Sequence, residues 1–152
     1  MRAVSGPSYK RPESVLVVVY TRTGEVLLLQ RREPPDFWQS VTGSLDPGET
    51  PYQAALRELA EETGIDGAAC LEDCRRRNRF PIVGPWRARY APEATHNTEH
   101  VFRLQLPASR PVRIASGEHL AYLWLPAREA AERVSSYTNR DAILAYVKPM
   151  GN

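Results

Sequence analysis

The sequence predicts an α+β fold, an α/β/α sandwich in which helices cover both faces of a mixed β-sheet. Three observations lead there. Apolar runs of strand length open the chain, one amphipathic helical segment lies near its middle, and strand patterns give way to helical ones at its end. No internal repeat or low-complexity linker divides it. A chain of 152 residues buries one sizeable core, so it reads as a single domain over residues 10–149, preceded by a loose arm over 1–9.

Residues 14–20, Ser-Val-Leu-Val-Val-Val-Tyr, form a continuous β-branched run and predict a strand buried on both faces. Thr23-Gly24-Glu25 makes a turn, and 26–30 returns as a second strand. Pro34-Pro35-Asp36 breaks the pattern, and 41–43 reads as a short strand leading into a Gly/Pro loop. Beyond the helical segment, 70–80 reads as a mixed strand carrying Arg75, Arg76, Arg77 and Arg79, and 86–90 as another strand. Residues 99–106 alternate like a half-buried strand, and 118–125 reads as the last one. Two short helices follow, the second opening at Thr138 with Ala142, Ile143, Tyr146 and Val147 as its apolar stripe.

The central helix carries its own boundary signals. Thr50 can cap it, Pro51 suits the first helical position, and Gln53 completes a Thr-x-x-Gln capping box. Gly64 stands where a left-handed residue would end it. Tyr52, Ala55, Leu56, Leu59 and Thr63 share one face and predict the buried stripe. Glu58, Glu61 and Glu62 fall at i, i+3 and i+4 on another face. Like charges at that spacing repel, and a hard divalent cation would remove the repulsion. The plain alternative is a solvated acidic face. Arg57 and Glu49 supply an ion pair that ties the loop to the helix.

The full spacing decides between these readings. Gly43, five residues, Glu49, seven residues, Arg57-Glu58-Leu59, one residue, Glu61-Glu62, one residue, Gly64-Ile65 resembles the Nudix box at every specified position. At average residue usage a chance match is on the order of one in ten million. The resemblance implies the Nudix fold and a hydrolase that cleaves a pyrophosphate bond with magnesium, manganese being a possible substitute. The flanks, among them Lys10-Arg-Pro, Leu29-Gln-Arg-Arg32, Asp36 to Gly43, Asn97-Thr-Glu99 and Glu118-His-Leu-Ala-Tyr122, resemble the pterin-triphosphate branch of that family, which serves folate biosynthesis.

Carried over by position, the resemblance implies Glu58 and Glu62 as metal ligands, helped by Glu61, the Gly43 carbonyl and Glu118. It also makes Glu118 or a box glutamate the general base. Without the resemblance, Glu118 reads as an ordinary exposed turn carboxylate. Lys10, Arg31, Thr42, His119 and Ser136 fall at positions implied to touch substrate. Arg31 and Lys10 suit phosphate oxygens, though either could be a solvated strand-end charge. Trp38, Trp86, Trp124 and Tyr90 could stack on a flat ring or sit in the core. The arginines of 75–79 are either a source of attractive field or a solvated strand face.

Bulk composition narrows the classes. A net charge of +2 suits a polyanionic small molecule, a pterin or nucleoside triphosphate, and is too weak to argue for nucleic acid. No apolar run approaches the length of a membrane span. Cys70 and Cys74 lack the further ligands a zinc site needs and read as reduced thiols, which suits a cytoplasmic protein. Two other functions stay open on the same scaffold. They are a general nucleoside triphosphate pyrophosphatase and a non-catalytic, ligand-binding regulator.

Overall fold

A computed structural model describes residues 9–148. The expected arm over 1–9 and the end of the domain at 149 therefore fall almost wholly outside the described residues. Seven strands form one mixed sheet. They are β1 (Glu13–Thr21), β2 (Glu25–Arg31), β3 (Trp38–Gln39), β4 (Val41–Ser44), β5 (Glu72–Pro81), β6 (His96–Leu106) and β7 (His119–Pro126). Three helices join them: α1 (Pro51–Thr63), α2 (Ala127–Arg133) and α3 (Tyr137–Tyr146).

β1 is the axis of the sheet. It runs parallel to β6 from Glu13↔Thr98 to Thr21↔Leu106. On its other edge it pairs antiparallel with β4 over Ser14 to Val17 and meets β2 at Tyr20↔Val26. β2 then diverges from β1 to pair with β3 and β7. The divergence opens the sheet at the end where β4 delivers its loop, and that opening becomes the cleft.

The continuous apolar run of β1 is explained by two cores. Val15, Val17 and Val19 point to the face covered by α1 and pack with Leu27, Leu29, Leu59 and Phe102. Leu16, Val18 and Tyr20 point to the opposite face, covered by α2 and α3 through Ala130, Ala142 and Ile143. Helices thus lie on both faces, as expected.

Two expectations need correction, and two open readings are resolved. Residues 86–90 are not a strand: Gly84–Arg89 form a 3-10 turn, entered through Gly84 at a φ of 69°, a left-handed value that suits glycine. The buried stripe of α1 is rotated from the expected one, because Ala54 and Glu62 are buried while Tyr52 is 40% exposed. Tyr52 lies in the first turn, with its ring 6.3 Å from that of Phe102. Of the two readings for the arginines of 75–79, the strand face holds, since none of them lines the cleft. They lie on a strand whose residues alternate between exposed and half-buried, at the sheet's edge. Trp38 and Trp124 pack against the two cores, with Trp124 Nε1 donating to the Arg110 carbonyl at 2.9 Å, so neither is free to stack on a ligand.

Candidate active site

α1 begins and ends where the sequence predicts. Thr50 Oγ1 accepts from the Gln53 amide at 3.1 Å, and Gln53 Oε1 accepts from the Thr50 amide at 3.0 Å. Gly64 closes the helix in the left-handed region, at a φ of 77°. Arg57 then locks helix to loop. Its guanidinium grips Glu49 through two bonds of 2.8 Å and donates to the Ser44 carbonyl at 3.0 Å. A paired fork of this kind fixes direction as well as charge. Its remaining nitrogen reaches Glu58 at 3.1 Å and Glu61 at 3.3 Å, so one arginine spans three box glutamates. Arg57 is a positioning residue by this geometry.

Glu58 and Glu62 turn inward from α1 toward the β4 backbone. An added Cβ on Gly43 would fall 1.9 Å from Glu58 Oε2, so only glycine lets the carboxylate lie against this strand. Glu62 is 2% exposed, and its Oε1 has no hydrogen-bond partner. Burial, then contact with Glu58, lifts the Glu62 carboxyl well above the usual carboxylate range. Burial also lifts Glu58. Two adjacent carboxyls cannot both ionise cheaply in such a place.

The opposite wall is cationic. Lys10 and Arg31 are half-buried and Arg89 is exposed, and all three line the same cleft of about 1190 Å³. Burial lowers the Lys10 and Arg31 pKa values, and the charge of Arg89 pushes both further down. A register shift between Gln30 and Arg31 sets Arg31 opposite His119, re-aiming the guanidinium at the end of β2. Glu118 is exposed and enters the cleft from the start of β7, where its carbonyl accepts from the Arg32 amide at 2.9 Å.

His119 is 3% exposed, and neither ring nitrogen has a hydrogen-bond partner. Burial, aided by the charge of Arg31, pushes its pKa down to about 4. The ring is neutral at pH 7, so its 3.8 Å approach to Glu62 is not an ion pair. Thr42 lines the cleft but spends its hydroxyl on the Val15 carbonyl at 2.8 Å. Ser136 lies apart from this cleft. It caps α3, its Oγ accepting from the Asn139 amide at 3.4 Å, and lines an adjoining cavity of about 350 Å³.

That second cavity is where sequence reasoning fell short. It shares Lys10, Arg31 and Thr42 with the cleft, so the two are continuous. Phe37, Phe80, Ile82 and Trp86 give it an apolar wall, and Phe37 and Trp86 meet edge to face at 5.2 Å. Asn97, Glu99 and Asn139 add buried polar groups. These three and Arg89 were not singled out as site residues. Polar residues at alternate positions on a strand whose other buried residues are apolar were the available signal.

Among the described residues, no three carboxylate, thiol or imidazole groups already surround one point as a finished metal site. The residues nonetheless fit a divalent cation. A buried carboxylate oxygen without a partner, a second carboxylate beside it and a glycine that admits the second make a place for a hard positive charge.

The chain belongs to the Nudix family: residues 10–146 match the NUDIX domain. Members of this family generally use divalent metal ions. The chain is 53% identical to the dihydroneopterin triphosphate diphosphatase of Escherichia coli K12 over 143 residues, covering 91% of this chain and 94% of that protein. It is 42% identical to the Haemophilus influenzae protein of that name, over 91% of this chain and 89% of the other. The solved structure of the E. coli dihydroneopterin triphosphate pyrophosphohydrolase superposes with a TM-score of 0.87 at 52% identity, covering 93% of this chain and 98% of that one.

Proposed function

We propose that this protein hydrolyses dihydroneopterin triphosphate to dihydroneopterin monophosphate and pyrophosphate, using magnesium, as a step of folate biosynthesis. One observation carries the reading. An acidic pair on α1 faces a cationic wall across a cleft that opens into an apolar cavity of about 350 Å³. Charge is crowded on both walls, and a metal-bound triphosphate would relieve both at once. The likeness to named diphosphatases along nearly the whole chain supports the choice of substrate.

Glu58 and Glu62 would hold the metal, with Glu61, Glu118 and the Gly43 carbonyl completing its surroundings. Magnesium, when bound, supplies neutralising charge to the phosphates and acidifies water. Lys10, Arg31 and Arg89 bind phosphate oxygens and stabilise the charge that develops on the phosphates. Glu118, exposed at the cleft mouth, or one of the box glutamates takes the proton of the attacking water. Arg57 keeps Glu58 aimed. His119, buried and neutral, pairs in register with Arg31 without adding positive charge. A cytoplasmic site of action goes with this reading and with the free thiols of Cys70 and Cys74.

The test is pyrophosphate release with magnesium, comparing dihydroneopterin triphosphate with the four dNTPs and a nucleoside diphosphate sugar. A kcat/KM preference of about tenfold or more for the pterin, roughly 1.4 kcal/mol of transition-state binding, supports the proposal. Preference for dNTPs makes the protein a general nucleotide pyrophosphatase. Absence of turnover with every substrate and metal points to a ligand-binding regulator.

A further inference from the structure

Helix α3 carries an amide where its buried stripe calls for an apolar side chain. Residues 139, 142, 143 and 146 fall on one helical face, and Ala142 and Ile143 join the core. Asn139, 1% exposed, begins that row. Asparagine is a weak helix former, and a buried amide without partners is costly. Its side chain bonds twice to Ser40, 99 positions earlier in the chain. Oδ1 accepts from the Ser40 amide at 2.8 Å, and Nδ2 donates to Ser40 Oγ at 2.9 Å.

Ser40 stands at a break between two strands. The chain pairs with β2 through Trp38 and Gln39, and with β1 from Val41 onward. Ser40 belongs to neither ladder and is 0% exposed, so its amide needs a partner from elsewhere. Asn139 supplies that partner from the face of the sheet opposite α1. Ser135 steadies the approach, its amide donating to the Trp38 carbonyl at 3.0 Å and its Oγ accepting from the Trp38 amide at 3.2 Å. The segment joining α2 to α3 and the first turn of α3 thus grip the chain at alternate residues, 38 and 40. Just beyond the grip lies the acidic pair. The Thr42 amide donates to the Glu62 carboxyl, and the Gly43 backbone lies against Glu58.

We propose that Asn139 is a positioning residue for the metal site, holding the corner between β3 and β4 so that the Thr42 amide and the Gly43 backbone meet Glu62 and Glu58 correctly. The inference deepens the metal-dependent reading of this site and rests on it. Partners that fix the ligands of a metal matter nearly as much as the ligands themselves. Here the fixing runs through the backbone, from α3 to Ser40 and on to β4. Asn139 also lines the second cavity, so a direct contact with substrate is one rival role. Plain support of α3 is the other. The three roles leave different marks. A substrate contact changes KM and leaves metal binding alone, while plain support changes the melting temperature and leaves both alone.

The experiment titrates manganese into substrate-free protein, well below every melting transition, and follows loss of the free-ion EPR signal. Asn139→Ala is expected to weaken manganese binding about tenfold or more, the range in which a lost supporting partner acts. In hydrolysis at saturating magnesium it should lower kcat about tenfold with little change in KM. Ala142→Gly loosens the same helix from its core face and leaves both bonds to Ser40 in place. It should melt lower than the parent yet bind manganese equally well. Ser40→Ala, which breaks one bond of the two, serves if Asn139→Ala does not fold. Its expected loss is about threefold, the worth of one ordinary hydrogen bond. Parent-like manganese binding in Asn139→Ala, or in Ser40→Ala where that variant must serve, overturns the assignment. So does equal weakening in Ala142→Gly. A parent that binds no manganese defeats the metal-dependent reading itself, a failure distinct from a variant that binds as the parent does.

Discussion

Glu58 and Glu62 sit where a negative charge is hardest to keep, in mutual contact and largely out of water. Glu58→Gln and Glu62→Gln remove that burden and the ligand together. Each is expected to lower kcat by roughly a hundredfold or more, because several kcal/mol of transition-state stabilisation depend on the metal. Circular dichroism and melting should stay near those of the parent, and near-normal turnover in both variants would remove the metal assignment. Gly43→Ala tests the same place from the backbone. Its methyl would overlap Glu58 Oε2, and a displacement of about 1 Å costs about a hundredfold in rate. Pyrophosphate release under saturating magnesium reads the loss. Glu58 and Glu62 were legible in the sequence because one helix brings them together at fixed i, i+4 spacing. Asn97, Glu99 and Asn139 were not, since they meet only once β6 and α3 have packed together, and Arg89 was not, since it reaches the cleft from the turn at Gly84–Arg89.

At the level of elements, α1 is defined by its ends. Thr50→Ala removes the acceptor for the Gln53 amide and is expected to cost about 1 kcal/mol, lowering Tm by roughly 2–4 °C for a domain of this size. Steady-state kinetics should scarcely change, because Thr50 is exposed and outside the cleft. A Tm equal to the parent's would show that the loop, anchored by Arg57, holds the helix start without the cap. The capping residues were legible because they act within four positions of one another. The rotated stripe was not: periodicity fixes the angular spacing of a helix's residues, while the docking partner fixes which arc is covered. Glu62 shows this, counted with the acidic face yet buried with Thr63. The turn at Gly84–Arg89 carries a strand-like pattern in Trp86 and Tyr90. Pro85 and the left-handed Gly84 outweigh them.

For the molecule as a whole, chelation of divalent ions should abolish pyrophosphate release, with full recovery on adding magnesium. Persistent turnover in excess chelator would rule out metal-assisted chemistry. Charge in the second cavity has a stability signature as well. Burial holds the Glu99 carboxyl above its ordinary value. A carboxyl raised by folding costs stability above its folded pKa, and the cost vanishes once the unfolded chain is protonated too. Glu99→Gln should therefore melt higher than the parent at neutral pH, and the gap should close toward about pH 4. A variant that melts lower at every pH would mean that the carboxylate serves the fold. The layering of helix, sheet and helix was legible from the two-sided apolar run of β1. The parallel pairing of β1 with β6 was not, because nothing local in either strand names a partner so distant in the chain.

The edge of the sheet has one more consequence. β5 ends the strand order, and its free backbone groups could template a strand from another molecule. Arg75, Arg77 and Arg79 are exposed there, with Arg76 beside them. The register shift between Asp73 and Arg76, where Arg75 adopts a φ of 56°, bends the ribbon. Two copies approaching edge to edge would set arginine against arginine along a crooked seam. Charge and bend on this edge disfavour strand addition by a second copy, and they do so through residues that lie outside the cleft.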